Sequence, residues 1–211
     1  MSLEEAKEKI NTFFKSKPRV KAFIDKAHKF AENNGYVTTL NGFRRNLGGA
    51  FSTDYGKRSK AQRQSVNTII EGSGAILTNT AVIILNELLA KSKFKSVIIA
   101  TVHDSILIDC PEEEIDKVST LALYVMEHLD YPWLFTNYKG KQIRYPIEAE
   151  VDIGKTYNDM VGLDKDKLKH FDSYNSYIDY FEKIKMLQDM EESKDISKEQ
   201  YEKIIDKLPI K

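Results

Sequence analysis

Apolar positions along the chain change their spacing several times, and each change marks an element. Over residues 3–14, Ile10, Phe13 and Phe14 fall on one side of a helical repeat. Pro18 suits the first turn of a second helix, with Ser16 as its cap. Val20, Phe23, Ala27, Phe30 and Ala31 follow at spacings of three and four until Gly35 ends that helix. Both read as amphipathic packing helices. Two β-prone runs then flank Asn41-Gly42, a strong short-range hairpin signal. A loop containing Gly and Ser over residues 48–59 leads into a helix from Lys60 toward Ala90. Within it, Gly72 and Gly74 predict a kink or a close backbone approach. The second half of that helix, residues 76–89, is apolar on most sides and is expected to be buried.

Downstream the period shortens. Residues 97–102 and 106–110 read as two buried strands around His103-Asp104. Tight hairpins prefer Asn-Gly or Gly-Gly at that place, so an imidazole beside a carboxylate there needs a reason. Glu112, Glu113 and Glu114 open another helix, where acids suit the dipole, and Ile115, Val118, Leu121, Ala122, Val125 and Leu129 form its stripe. Residues 146–154 alternate, with Ile147, Ala149, Val151 and Ile153 against Glu148, Glu150 and Asp152, which is the pattern of a half-buried strand. Past residue 160 the chain is rich in Lys, Asp, Glu and Tyr. Two helices are expected there, the second starting at Ser197 with Gln200 in capping-box position. Tyr174, Tyr177, Phe181 and Ile184 recur at helical spacing, a stripe expected to pack as core. The fold class that follows is α+β.

Composition narrows the picture. Formal net charge is zero over 211 residues, so any pull toward a polyanion must be local. The single cysteine, Cys110, excludes an internal disulfide framework and suits a reducing, cytoplasmic compartment. The longest apolar run, residues 75–85, is interrupted by Thr78, Asn79 and Thr80, so no membrane span is expected. One local excess stands out. Between Tyr36 and Gln64 lie Arg44, Arg45, Lys57, Arg58, Lys60 and Arg63 against one acid, Asp54. Gly48, Gly49 and Gly56 among them would let a phosphate backbone approach closely. Arg63, Asn67 and Glu71 recur every four residues, so they share one helix face. A carboxylate held at a stiff β-turn, as Asp104 would be, is the kind of oxygen donor that Mg²⁺ takes alongside substrate phosphates.

These segments, in this order, resemble the C-terminal part of family A DNA polymerases, the group of bacterial DNA polymerase I and many phage replicases. "GYVTTLNGFRRNL" is similar to G-Y-V-x-T-L-x-G-R-R-R, and "RQSVNTIIEGSGA" to R-x-x-x-N-x-P-x-Q-G-T-A-A. "VHDSILIDCPEEE" resembles V-H-D-E-x-x-x-x-x-P-x-E-E, the third polymerase motif, and "PIEAEVDIGKTY" the closing P-L-x-x-x-V-x-x-G-x-x-W strand. The resemblance covers residues 1 to about 160. It implies that Asp104 matches a palm carboxylate that ligates catalytic Mg²⁺, and that His103 matches a histidine near the primer terminus. Arg63 and Asn67 match primer-template contacts, and Arg44 and Arg45 match arginines that run along the duplex. Lys57, Arg58, Lys60 and Glu71 complete the expected DNA-binding set. The implied organisation is a fingers/palm junction over residues 1–35, the C-terminal half of a palm over 36–160, and a helical extension over 161–211.

Departures from the family pattern carry chemical consequences. Ser105 stands where a glutamate is usual, so one anionic donor is lost. Glu71 replaces a glutamine that donates toward the minor-groove edge, and an ionised carboxylate only accepts. Phe43 replaces one of three arginines, Ile69 a proline and Tyr157 a tryptophan. The family's first motif, with its second metal-binding aspartate, and its second motif, with the lysine and arginine that grip the triphosphate, have no counterpart in these residues. The expectation is therefore a portion of a DNA-directed DNA polymerase, acting on primer-template DNA and deoxynucleoside triphosphates, with a two-metal Mg²⁺ site. It is expected to be inactive until a second polymerase chain or a further segment brings the missing motifs. Two alternatives are a non-catalytic DNA-binding or regulatory module on the same scaffold, and a metal nuclease recruiting Glu148 or Glu150 toward Asp104.

Overall fold

The structure is a computed structural model that describes residues 2–206 and 208. Its helices are α1 (Leu3–Ser16), α2 (Pro18–Asn34), α3 (Tyr55–Lys91), α4 (Ile115–Glu127), α5 (Lys165–Leu168), α6 (Tyr174–Glu192) and α7 (Lys198–Ile205). Its strands are β1 (Tyr36–Thr38), β2 (Arg44–Asn46), β3 (Val97–Val102), β4 (Ser105–Asp109), β5 (Phe135–Tyr138), β6 (Lys141–Arg144), β7 (Asp152–Ile153) and β8 (Val161–Gly162). They pair as β1-β2, β3-β4, β5-β6 and β7-β8, each a sheet of two strands. The fold class is α+β, as the sequence pattern indicates.

The chain divides into two compact units. The first comprises the chain up to Ile84 with Ile98–Leu107 and Leu129–Tyr145, and the second comprises Leu85–Val97, Ile108–His128 and the chain from Pro146.

In the first unit, Ser2 and Glu5 form a capping box on α1. Pro18 opens α2 as expected, but the cap position is Lys17, because the Ser16 hydroxyl donates to the Phe13 carbonyl instead. Gly35 ends α2 in the left-handed conformation, φ 72°. The packing expected of these helices is only partly present. None of the described residues of α1 is buried, and α2 buries only Ala27 and Ala31. Ala31 joins Val37, Leu47, Ala50 and Ala61 in a small core, and Ile69 of α3 packs on it.

Helix α3 starts at Tyr55, before the expected Lys60, because Asp54 caps it: the Lys57 N–H donates to Asp54 Oδ1 at 3.1 Å. It runs unbroken past Gly72 and Gly74. Gly72 marks a close approach, since a Cβ there would lie 2.9 Å from Thr39 Cγ2. The second half is not buried all round. Thr78, Ala81, Leu85 and Leu89 form one buried stripe, while Ile83 is 62% exposed. By length and composition α3 is also long and apolar enough to cross a bilayer, so its three polar residues do not interrupt it as the sequence reading expected. Two of them are used inside the first unit: Thr78 Oγ1 donates to the Asp104 carbonyl at 3.5 Å, and Thr80 Oγ1 lies 2.6 Å from the Tyr131 hydroxyl.

The second unit has its core where the tail folds back. Ile153, Val161, Tyr177 and Ile178 cluster there, with Ile115 and Phe181 against them. The Tyr177 hydroxyl donates to the Gly162 carbonyl at 2.7 Å and accepts from the Asp164 N–H at 2.9 Å. Tyr174, Tyr177 and Phe181 of the tail stripe pack in this core, as expected, and Ser197 caps α7 with Gln200. The alternation over residues 146–154 holds in burial but not in pairing. Only Asp152–Ile153 joins a ladder, because among the described residues no strand lies alongside the preceding six. Glu114 accepts from the Lys95 N–H at 3.0 Å, the Ser96 N–H at 3.0 Å and the Ser96 hydroxyl at 2.6 Å, which fixes the chain just before β3. Burial pushes the Cys110 thiol above its ordinary pKa, so it is a poor nucleophile.

Candidate functional site

Asp104 stands at the tip of the β3-β4 hairpin, and both central residues of that turn are exposed. His103 takes φ 56° and Asp104 does not have positive φ, the sign pattern of a type II′ turn. Glycine is the usual residue at the first of these positions, because a Cβ costs about 1–2 kcal/mol in that conformation. The turn is closed from within, since the Ser105 hydroxyl donates to the Val102 carbonyl at 2.8 Å. Serine thus has a local use at the position where the family pattern carries a glutamate. The strands behind the turn are not buried as expected: Val97 is 53% and Ile99 58% exposed. A sheet of two strands covers neither of its own faces.

The basic segment folds as a hairpin laid along α3. Its loop is not the two-residue kind that Asn-Gly favours. Gly42 N–H donates to the Thr39 carbonyl, Thr39 N–H donates to the Phe43 carbonyl, and Gly42 alone takes positive φ, 84°. That is a three-residue loop ending in a left-handed glycine. Val37 pairs with Arg45 and Thr38 with Arg44, so the two arginines point to opposite faces. Arg45, on the face of buried Val37, donates to Thr68 Oγ1 of α3 at 3.1 Å. Arg44 faces outward with its guanidinium 3.7 Å from the Tyr36 ring centroid and its Nε donating to Asn46. The Leu40 N–H donates to Ser73 Oγ at 3.0 Å, which pins the loop one turn further along the helix.

The remaining cations line the start of α3. Lys57 and Lys60 are exposed, and Arg58 is half-buried, reaching the Ser52 carbonyl at 3.5 Å. Arg63 is exposed and donates to Ser59 Oγ at 2.8 Å. Asn67 and Glu71 are exposed on the same face, and the helical repeat carries that face onward to Thr78. At a rise of ~1.5 Å per residue, Glu71 lies roughly 10 Å and Asn67 roughly 16 Å along the axis from Thr78. Thr78 is the residue that touches the Asp104 carbonyl. One polar helix face therefore leads from the arginine hairpin to the acidic turn.

Among the described residues no group of three or more His, Cys, Asp or Glu side chains could hold a metal ion. Asp104 presents a single carboxylate at the turn, and Mg²⁺ takes one or two carboxylates together with substrate phosphates and waters. Thr68, Thr78 and Tyr36, which position Arg45, the turn and Arg44, escape a reading of the sequence alone. Thr78 and Asp104 are 26 residues apart and only the fold brings them together.

The sequence profile of DNA polymerase family A matches residues 1–159. The chain is 34% identical to the DNA polymerase of Bacillus phage SP01 over 192 residues, 91% of this chain and 20% of that protein. It is 32% identical to DNA polymerase I of Bacillus caldotenax over 159 residues, 75% of this chain and 17% of that protein. The phage match is longer than the segment the family profile covers, so the likeness continues into the tail. Among solved structures, the POL domain of Pol1 from M. smegmatis, in complex with DNA primer-template and dNTP, superposes with a TM-score of 0.57 at 28% identity. That match covers 60% of this chain and 22% of that one. The chain spans about a fifth of the length of the relatives it matches.

Proposed function

The chain belongs to DNA polymerase family A, and from that premise we propose that it supplies the acidic turn and the primer-template surface of a template-directed polymerase whose other parts lie outside these residues. Asp104 is the carboxylate of the catalytic site, and His103 sits beside it at the primer terminus. Arg44, with Lys57, Lys60 and Arg63, meets duplex phosphates, while Asn67 and Glu71 face the duplex on the stretch of α3 that leads to the turn. Arg45 spends one of its five donors on Thr68 and keeps others for phosphate. The observation that carries this reading is the continuity of the Asn67–Glu71 face with the Asp104 turn through Thr78.

The chemistry these residues perform is binding and placement. The arginine hairpin and the helix face fix the register of the duplex, and the stiff turn sets where a carboxylate meets the reacting end. Asp104 would be the residue of this chain that holds a divalent cation, Mg²⁺ by its donor chemistry, which would supply charge neutralisation on the reacting phosphate. One carboxylate and no triphosphate clamp do not amount to a polymerase site. Synthesis is therefore expected only when a second polymerase chain, or a further segment, supplies the missing motifs. Exposed Phe13, Val20, Phe23 and Phe30 on α1 and α2 suit burial against such a part. A reducing cytoplasm and no membrane are the setting this role implies.

The test is nucleotide incorporation on primer-template by the chain alone and after mixing with a polymerase piece that carries the missing motifs. The reading expects no synthesis alone, synthesis after mixing, and loss of it with Asp104→Ala. Ser105 and Glu71 favour a second reading, a DNA-binding module that lost the chemistry. That reading expects DNA binding with no gain of synthesis on mixing.

A further inference from the structure

Residues 131–145 contain Lys139, Lys141 and Arg144 and no acid, in a chain whose net charge is zero. They form the β5-β6 hairpin of the first unit, which none of the family motifs covers. Its loop is Lys139-Gly140, with φ 50° and 77°, both signs being those of a type I′ turn. The ladder pairs Tyr138 with Lys141 and Thr136 with Ile143, so these four side chains share one face. On that face Tyr138 is 58% and Ile143 43% exposed. Lys139 Nζ lies 5.4 Å from the Tyr138 ring centroid. Among the described residues neither Lys139 nor Lys141 has a carboxylate partner.

The root of the hairpin is held firmly. The Tyr131 hydroxyl meets Thr80 Oγ1 at 2.6 Å, Tyr131 stacks on Trp133, and the Tyr145 N–H donates to the carbonyl of buried Leu134 at 2.7 Å. Thr80 is two residues from Thr78, which touches the Asp104 turn. Two residues rotate a helix by about 200°, so the two hairpins flank the same turn of α3 from opposite sides. At ~3.3 Å per residue, the four-residue strands carry the tip roughly 13 Å from its root.

An exposed aromatic ring bordered by unpaired cations, on a rigid arm across α3 from an acidic turn, suits one ligand class better than others. Lysines alone would serve any phosphate backbone. A ring with an open face serves unstacked bases, which a duplex keeps inside its stack. We propose that the Tyr138–Lys141 face of this hairpin binds single-stranded nucleic acid across α3 from the Asp104 turn, with a base on Tyr138 and phosphates on Lys139 and Lys141. This rests on the DNA-binding reading above and adds a site to it.

The test is fluorescence anisotropy with the full chain across a salt series, using a labelled oligothymidylate of about 16 nucleotides and a blunt duplex. Tyr138→Ala is expected to weaken single-strand binding by about tenfold, Tyr138→Phe to restore it, and duplex binding to hold. Lys139→Gln with Lys141→Gln is expected to flatten the single-strand slope of log K against log salt by ~1.4, the share of two phosphates. Arg44→Gln serves as the comparator and is expected to weaken duplex binding. Wild-type single-strand affinity and slope in both hairpin variants would overturn the proposal. Loss of duplex binding in Arg44→Gln would then leave the polymerase reading standing. If the unmodified chain binds neither oligonucleotide, both readings fail. Hairpin variants that weaken only association with a second polymerase chain would make this face a protein interface and overturn the proposal as well.

Discussion

Two hairpins of the first unit solve the same geometric problem in different ways. The arginine hairpin closes with Gly42 at φ 84°, where a Cβ would meet nothing within 4 Å. The acidic hairpin closes with His103 at φ 56°, a position glycine would fill more cheaply. In the first, glycine removes strain and the loop only joins two strands. In the second, strain is kept and the turn gains an imidazole next to a carboxylate. The contrast teaches that the acidic turn keeps a backbone conformation costly for a residue with a Cβ, and that the surrounding ladder and the Ser105 bond hold it there.

The largest effect is expected at the carboxylate. Asp104→Ala is expected to lower synthesis by a reconstituted complex at least about a thousandfold, with duplex binding held near wild type. Steady-state incorporation and duplex anisotropy measured together check this, and near-normal rates would end the assignment. His103→Gly comes next. Relief of strain and added chain entropy nearly cancel, so stability should shift by less than about 1 kcal/mol. Synthesis should still fall about ten- to a hundredfold, because a slacker turn misplaces the carboxylate. Gly42→Ala should do the reverse. It costs about 1–2 kcal/mol in denaturant unfolding, and the folded fraction should retain its rate.

The smallest effect concerns the root of the acidic hairpin. The N–H of Lys95 and the hydroxyl and N–H of Ser96 hold the Glu114 carboxyl below the usual carboxylate range. A depressed folded pKa means that its stabilising share is complete above the unfolded value of about 4.3 and is lost as pH falls through the folded value. Thermal unfolding across pH 3–6 is expected to show a decline below about pH 4.5 that is shallower in Glu114→Gln. Equal slopes for both proteins would remove Glu114 from the account.

What could be read from the sequence follows from how local each feature is. The glycine at position 42, the caps at Ser197 and Gly35, and the position of Asp104 between two apolar runs depend on near neighbours, and all appear in the fold. Burial did not follow from the same patterns. The faces of α1, β3 and the second half of α3 are apolar, yet nothing among the described residues covers much of them. The alternation of residues 146–154 similarly signals a strand for which most of the ladder is missing. The β5-β6 hairpin leaves little trace in the sequence because Lys139-Gly140 is a weaker turn signal than Asn-Gly, although it adopts the same signs of φ. In the candidate site, the shared face of Arg63, Asn67 and Glu71 was visible from spacing. Its arrival at Asp104 through Thr78 required tertiary contact.

The claim at the centre of the account is that a divalent cation sits at the Asp104 turn when the polymerase is complete. Fe²⁺ substituted for Mg²⁺ in the reconstituted complex, followed by ascorbate and peroxide, cuts backbone close to the bound ion and so reports its place. The account predicts cleavage at His103-Asp104-Ser105 that needs both the second polymerase piece and primer-template, and that disappears in Asp104→Ala. Cleavage elsewhere in the chain, or at the turn regardless of Asp104, would contradict it.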